Sequence, residues 1–320
     1  MSLSGQVALV TGASRGIGRG IALQLGEAGA IVYITGRNPG QSENGKAGLS
    51  SLEETADEIT KRGGKGIVAY VDHTDMAQVE QLFQRIDKEN HGQLDILVNN
   101  AYQAVNAISD SIGKKFYNTD PFIWDTVNNV GLRNHYFCSV YAARSMSKQK
   151  KGLIVNIGSA GGLQYLFNVA YGVGKQALDR MTADMAVELK DANVCVVSVW
   201  PGAVKTELLG QRFADPDSIL SRNKTNAEFF ATGETTEYAG KAIVAVAADR
   251  KKMEKSGKIL IAADLGNEYG FQDIDGVTPP NMRSVNYVLK HFGWTKTASW
   301  IPSFVKIPAY WMWASTNRIY

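Results

Sequence analysis

Cysteine is nearly absent from this chain: 320 residues contain only Cys138 and Cys195. Both lie in apolar runs, which excludes a disulfide framework or a cysteine-based metal site and suits a reducing compartment. Histidine is scarce too. His73 and His135 lack the spacing of metal ligands, so structural or solvated roles are expected for them, and no metal. Charge of one sign is also missing. The net charge of +3 is too small to imply a nucleic-acid partner. There is no apolar run of about 18 residues to span a bilayer. No repeat or low-complexity tract is visible, and the opening MSLSG runs straight into an apolar stretch with no sign of a cleavable leader.

What is present is a series of short Val-, Ile- and Leu-rich runs: VALVT (7–11), IVYIT (31–35), IVAYV (67–71), LDILV (94–98), LIVNI (153–157), VCVVSVW (194–200) and KILIA (258–262). Their near-continuous hydrophobicity fits parallel strands covered on both faces. Helical patterns lie between them, one opened by a capping box at Ser51 and Glu54 and closed at Gly63-Gly64. Seven strands alternating with six helices predict an α/β, doubly wound, Rossmann-like parallel sheet over residues 1–265, with an extension over 266–320. Three segments are irregular: a polar loop at 38–50, residues 207–235, and the extension.

The stretch TGASRGIG (11–18) falls between the first strand and the first helix. Gly12 suits the tight turn, Gly16 a close approach to a pyrophosphate, and Gly18 packing of helix on sheet. The helix N-terminus adds free N–H groups and a positive dipole end. An NAD-selective site would carry an acid at the end of the second strand. Gly36 stands there, followed by Arg37, with Arg15 in the glycine loop. Two guanidiniums and no carboxylate predict NADP(H), whose 2′-phosphate arginine binds with charge-assisted hydrogen bonds.

Further along, YGVGK (171–175) sets a phenol and an ammonium one helical turn apart on one face. With these residues in view, the chain resembles the short-chain dehydrogenase/reductase family. The shared elements are T-G-x-x-x-G-x-G at Thr11–Gly18, NNA at Asn99–Ala101, Ser159, Tyr171-x-x-x-Lys175, and Pro201-Gly202 with Thr206. They occur in family order over residues 6–265, about four fifths of the chain. The resemblance implies a catalytic set of Ser159, Tyr171 and Lys175: Ser159 holding the substrate carbonyl, Tyr171 as acid in reduction and base in oxidation, Lys175 holding the nicotinamide ribose and stabilising the phenolate. It implies a cofactor wall of Gly12, Ser14, Arg15, Gly16, Ile17, Gly18, Arg37, Asp72, Asn99, Ala101, Tyr171, Lys175, Pro201, Gly202, Val204 and Thr206. Within that wall, Asp72 would meet the adenine, Asn99 would shape the ribose region, and Thr206 would hold the carboxamide. It also implies a homodimer or homotetramer through helices at 122–147 and 170–190. A phenol titrates near ~10 when free, and the nearby Lys175 ammonium together with the cofactor's positive nicotinamide is expected to bring Tyr171 down toward the working range.

Three departures from the family pattern stand out. Gly131 takes the position, counted from Trp124-Asp125, where the family has a relay asparagine. Asn128 and Asn129 lie close by but do not share its face at ~3.6 residues per turn. Ser159 precedes Tyr171 by twelve residues where thirteen is commoner, which places a one-residue loss near Gly162–Asn168. NNAG has become NNAY, so Tyr102 either lines the cleft or packs under its loop.

Substrate contacts are expected from 102–123, 160–170 and 203–235. Tyr165, Leu166 and Phe167 suit an apolar ketone or secondary alcohol (a steroid, retinoid or xenobiotic carbonyl) unless they belong to the core. From Gly276 onward there is no acid, five Lys or Arg, and four of the six tryptophans. That chemistry fits a lid, an oligomer contact or a peripheral membrane surface, although Pro302 and Pro308 interrupt any single helix. A cytoplasmic-facing protein, in contact with an intracellular membrane such as the endoplasmic reticulum if the tail binds one, is the expected setting. Loss of the asparagine opens a second function, an NADP(H)-binding sensor or scaffold with little turnover. A pure binder, however, has no need of the serine–tyrosine pair.

Overall fold

A computed structural model of the chain describes residues 1–38, 50–215, 230, 232–291, 293–302, 304–308, 310–311 and 314. The expected polar loop after the second strand and part of the 207–235 segment lie outside the described residues.

Seven strands form one sheet: β1 (Val7–Val10), β2 (Ile31–Gly36), β3 (Lys65–Tyr70), β4 (Ile96–Asn99), β5 (Gly152–Ile157), β6 (Val194–Trp200) and β7 (Ile259–Ile261). The order is β3-β2-β1-β4-β5-β6-β7, and every pairing is parallel. Their uninterrupted hydrophobicity has the expected cause. Alternate residues serve opposite faces, so Ala8 and Val10 join one core while Val7 and Leu9 join the other. The strands β1, β4, β5 and β6 are buried throughout, whereas the edge strands β3 and β7 are partly exposed.

Helices cover both faces. They are α1 (Gly16–Glu27), α2 (Leu52–Lys61), α3 (Met76–Glu89), α4 (Val105–Ser111), α5 (Ile123–Asn128), α6 (Asn134–Gln149), α7 (Val169–Glu188), α8 (Glu207–Ala214), α9 (Tyr238–Ala248), α10 (Ala262–Tyr269), α11 (Val285–His291) and α12 (Thr295–Ala298). The capping box at the start of α2 is formed, with Ser51 N–H to Glu54 Oε2 at 2.8 Å and Glu54 N–H to Ser51 Oγ at 3.1 Å. Between α5 and α6, residues Asn129–Arg133 form a π-helical turn, so a uniform ~3.6-residue period does not hold there.

Because β2 and β3 lie to one side of β1 and β4 to the other, the chain reverses direction at β1/β4 and opens a crevice at their carboxyl ends. The extension folds back over that end. Ser284 bridges Lys306 in antiparallel fashion. Asp264 on α10 accepts from Arg283 at 2.7 Å, Lys306 at 2.6 Å and Asn281 at 2.8 Å.

Candidate active site

The crevice holds a cleft of about 1530 Å³. At its nucleotide end the Thr11 hydroxyl donates to the Val98 carbonyl and accepts from the N–H groups of Asn100 and Ala101, tying the glycine loop to the end of β4. Gly12 has φ +68°, and a Cβ there would come within 2.8 Å of the Ala101 Cα, so the turn demands glycine. Gly16 N–H, at the opening of α1, donates to Glu207 Oε2 at 2.9 Å. A carboxylate oxygen is thus already held by an N–H that the first turn of the helix leaves without a backbone partner. The donor set suits the phosphates of a dinucleotide. Arg15 and Arg37 line the same end. Burial, then the charge of Arg37, holds the Arg15 guanidinium below its ordinary value, and an anion between the two cations would relieve their repulsion.

Ser14, Ile17, Gly18, Asp72, Ala101, Pro201, Gly202, Val204 and Thr206 line the cleft as well. The Asp72 carboxylate accepts from Thr74 N–H and Oγ1–H. Asn99 departs from this pattern. It is fully buried, and its amide donates to Ser139 Oγ and Asn156 Oδ1, both at 2.9 Å. It pins the sheet to α6. Asn100 is the residue that reaches the cleft, and its side-chain amide also donates to the carbonyls of Thr11 and Gly12. The reason is strand phase: Asn99 falls on the same face of β4 as the core residue Leu97.

At the chemical end, Asn168 caps α7 by accepting from Tyr171 N–H at 2.9 Å, which sets Tyr171 in the first turn. Just before it the loop passes through Phe167 at φ +62°, a left-handed conformation unusual for an aromatic residue. This loop lies in the stretch where the sequence reading expects the one-residue loss. Phe167 then meets Tyr171 edge-on, with centroids 5.1 Å apart. Ser159, Tyr171 and Lys175 share the cleft wall. Burial pushes the Tyr171 phenol above its ordinary value, while a hydrogen bond with Ser159 pulls the other way. The expectation that Lys175 lowers it is corrected here for the protein alone. Lys175 Nζ donates to the Ile157 carbonyl at 2.8 Å and rests over the ring of Tyr102. Burial draws the ammonium down to about 8, opposed by Asp179.

Of the two asparagines near Gly131, Asn128 is buried and its amide donates weakly to the Ala170 carbonyl at 3.4 Å. His73 and His135 are buried structural residues. The His73 ring pairs with Thr35 Oγ1 and Asn134 Oδ1, and His135 Nε2 with the Ala101 carbonyl. Among the described residues no group of three or more His, Cys, Asp or Glu could hold a metal ion.

The far wall combines Ile108, Ile112, Leu163, Leu166, Phe167 and Leu209 with Pro279, Met282, Tyr287, Val288 and Ile307 of the extension. Tyr165 lines the mouth at 71% exposure, so it is no core residue. Of the three roles that the sequence left open for the extension, its wall residues fit the lid, and only the fold brings them to the cleft. Elsewhere on the extension Trp294, Trp300, Phe304, Tyr310 and Trp311 face outward. Among the described residues no helix is long and apolar enough to cross a membrane.

Glycine loop, parallel sheet and Ser–Tyr–Lys wall define a dinucleotide-dependent oxidoreductase scaffold. The short chain dehydrogenase family model matches residues 6–217, and the chain belongs to that family of NAD(P)-dependent oxidoreductases. It is 47% identical over 313 residues to dehydrogenase/reductase SDR family member 1 of Homo sapiens, covering 96% of this chain and 95% of the relative. The Mus musculus counterpart is 45% identical over the same shares. Among solved structures, a short-chain type dehydrogenase/reductase from Mycobacterium marinum superposes with a TM-score of 0.64 at 27% identity, covering 81% of this chain and 94% of that one. A candidate 2-deoxy-D-gluconate 3-dehydrogenase from Agrobacterium tumefaciens with bound NADP gives 0.65 at 27% identity, covering 81% and 95%.

Proposed function

We propose that the protein is an NADP(H)-dependent reductase/dehydrogenase that interconverts an apolar ketone and its secondary alcohol. The observation that carries this reading is one cleft with two chemically distinct ends. Arg15 and Arg37 stand at the nucleotide end, and Ser159, Tyr171 and Lys175 face an apolar wall at the other.

Gly16 N–H and the two guanidiniums would hold the phosphates. Lys175 and Thr206 would hold the nicotinamide end. Bound there, the cofactor supplies or accepts the hydride. The remaining work belongs to side chains. Ser159 hydrogen-bonds the carbonyl oxygen, and Tyr171 gives that oxygen a proton in reduction and takes one back in oxidation. Leu163, Leu166 and Phe167 exclude water from the substrate end. The Lys175 ammonium, drawn down to about 8 by burial, would hold the nicotinamide ribose, since in the protein alone burial and not the lysine sets the direction of the Tyr171 shift.

The extension would serve as a lid, since its Pro279, Met282, Tyr287, Val288 and Ile307 line the cleft. Its outward Trp294, Trp300 and Phe304 beside Lys296 and Lys306 also suit a peripheral membrane surface. Co-sedimentation with anionic vesicles tests that contact. Homodimer or homotetramer formation through α6 and α7 is part of this proposal, with sedimentation velocity as its check.

The deciding experiment follows NADPH and NADH oxidation against a panel of apolar ketones and diketones, wild type beside Tyr171→Phe. The expected result is NADPH-preferring turnover that falls by about 100-fold or more in the variant with NADPH binding retained. Tight NADPH binding with no turnover on any ketone would replace this reading with a sensor or scaffold.

A further inference from the structure

Two of the places where this chain departs from its family touch each other. An ideal Cβ at Gly131 would stand 2.6 Å from Cε2 and 2.7 Å from Cδ2 of Tyr102. No residue with a side chain fits position 131 while that ring keeps its pose. Tyr102 is therefore bulk at a position where the family has glycine, and Gly131 is the hole that receives it.

We propose that Tyr102 is a positioning residue for Lys175: its ring, seated in the gap at Gly131, supplies the face on which the lysine ammonium rests. Lys175 Nζ lies 5.1 Å from the ring centroid, inside the ~6 Å reach of a cation–π contact. From another side Tyr171 meets the same ring edge-on, centroids 6.3 Å apart at 79°. Tyr102 thus touches both the acid and its cationic neighbour. The Tyr102 hydroxyl is buried without a hydrogen-bond partner among the described residues, so the ring and not the hydroxyl carries the contact. Lys175 is only 9% exposed, and apart from the Ile157 carbonyl it has little water to hold its charge.

The groups facing Lys175 are few. Tyr171 and Asp179 share its helix, His135 approaches from α6, and Tyr102 comes from the loop after β4. Asp179 favours the ammonium. His135 is kept neutral, since burial and the lysine itself drive it down to about 3. The aromatic face adds a favourable term for the cation that burial opposes.

This proposal rests on the reading of Lys175 as a functional lysine, but its test needs no substrate and no cofactor. In protein labelled with ¹³Cε-lysine, the Lys175 resonance, assigned by its loss in Lys175→Met, is titrated by NMR. Tyr102→Phe, which keeps the ring, should hold the wild-type midpoint to within about 0.3 pH units, and Tyr102→Leu should lower it by about one pH unit. Gly131→Ala, which must push the ring aside, should lower it comparably, and adding it to Tyr102→Leu should shift it little further. If Tyr102→Leu proves unstable, Gly131→Ala carries the test. An unmoved midpoint in both Tyr102→Leu and Gly131→Ala overturns the proposal. So does a shift in Tyr102→Phe as large as in Tyr102→Leu, which would assign the effect to the hydroxyl. Absent turnover would count against the proposed function alone, because the titration is read on the cofactor-free protein.

Discussion

Glu207 and Gly16 are joined by a hydrogen bond of 2.9 Å from the backbone N–H at the opening of α1 to a carboxylate 191 residues further on. The carboxylate occupies a donor that a dinucleotide phosphate would use, so the two anions compete. Glu207→Gln is expected to tighten NADPH binding by about three- to tenfold and to destabilise the cofactor-free protein by about 0.5–1 kcal/mol through loss of a favourable helix-dipole contact. Fluorescence titration and thermal unfolding check the two signs. Weaker NADPH binding in the variant would make Glu207 a cofactor ligand and not a competitor.

Arg15 and Arg37 repel one another across the nucleotide end. Replacing Arg37 by alanine should weaken NADPH binding by about 10- to 100-fold, the range of one charge-assisted hydrogen bond, while NADH binding changes by less than about threefold. Equal losses for both cofactors would mean that Arg37 meets some part of the cofactor other than the 2′-phosphate.

Glu234 is 1% exposed, and neither carboxylate oxygen has a well-formed hydrogen bond among the described residues. Burial drives it from the ordinary 4.5 up to about 8, with a counter-pull from Gly202 N–H and a further push from Asp273. Between those values the folded protein keeps a proton that the unfolded chain has lost. Stability therefore declines as pH rises through this window, and the loss is complete above about 8. Glu234→Gln should match wild type near pH 5 and exceed it near pH 9 by on the order of 3 kcal/mol. Parallel stability–pH curves for the two proteins would contradict this.

Asp264 ties the extension down through Arg283, Lys306 and Asn281. Burial raises its pKa, but the three hydrogen bonds outweigh that and hold the carboxyl below its usual range. The tether contributes stability above the ordinary carboxylate range and loses it as pH falls through the depressed folded value. Asp264→Asn should speed tryptic cleavage at Arg283 and Lys306 by about tenfold and raise KM for apolar ketones by about three- to tenfold, with NADPH affinity unchanged. A KM that stays put while cleavage accelerates would remove Met282 and Ile307, the chain neighbours of the tethered Arg283 and Lys306, from the substrate contacts.

Most of this architecture could be read before folding because its signals are local. Continuous Val/Ile/Leu runs marked buried parallel strands, Ser51 and Glu54 marked a helix start, and the four-residue step from Tyr171 to Lys175 placed both on one face. Other features needed the third dimension. Lys175 turns toward Ile157 and Tyr102, so spacing alone overstated its pull on Tyr171, and burial reversed the direction. The π-turn at 129–133 broke the period on which the faces of Asn128 and Asn129 were reckoned. Asn99 turns its side chain into the contact between β4 and α6, in phase with Leu97, and it is Asn100 that lines the cleft. A lid was one of three roles open to the extension, but nothing local singled out Met282, Val288 and Ile307 as the residues that reach the cleft.

The fit of Tyr102 into Gly131 also constrains how this lineage can change. An ancestor with a small residue at 102 and a larger one at 131 could not acquire the tyrosine first, because ring and Cβ would collide. The opening at 131 had to come before or together with it. A return would follow the reverse order, with the ring leaving before any side chain reappears. Each site is therefore free to vary only under permission from the other, although 29 positions separate them. Surveys that score the two columns one at a time would miss that a side chain at 131 and the ring at 102 exclude each other.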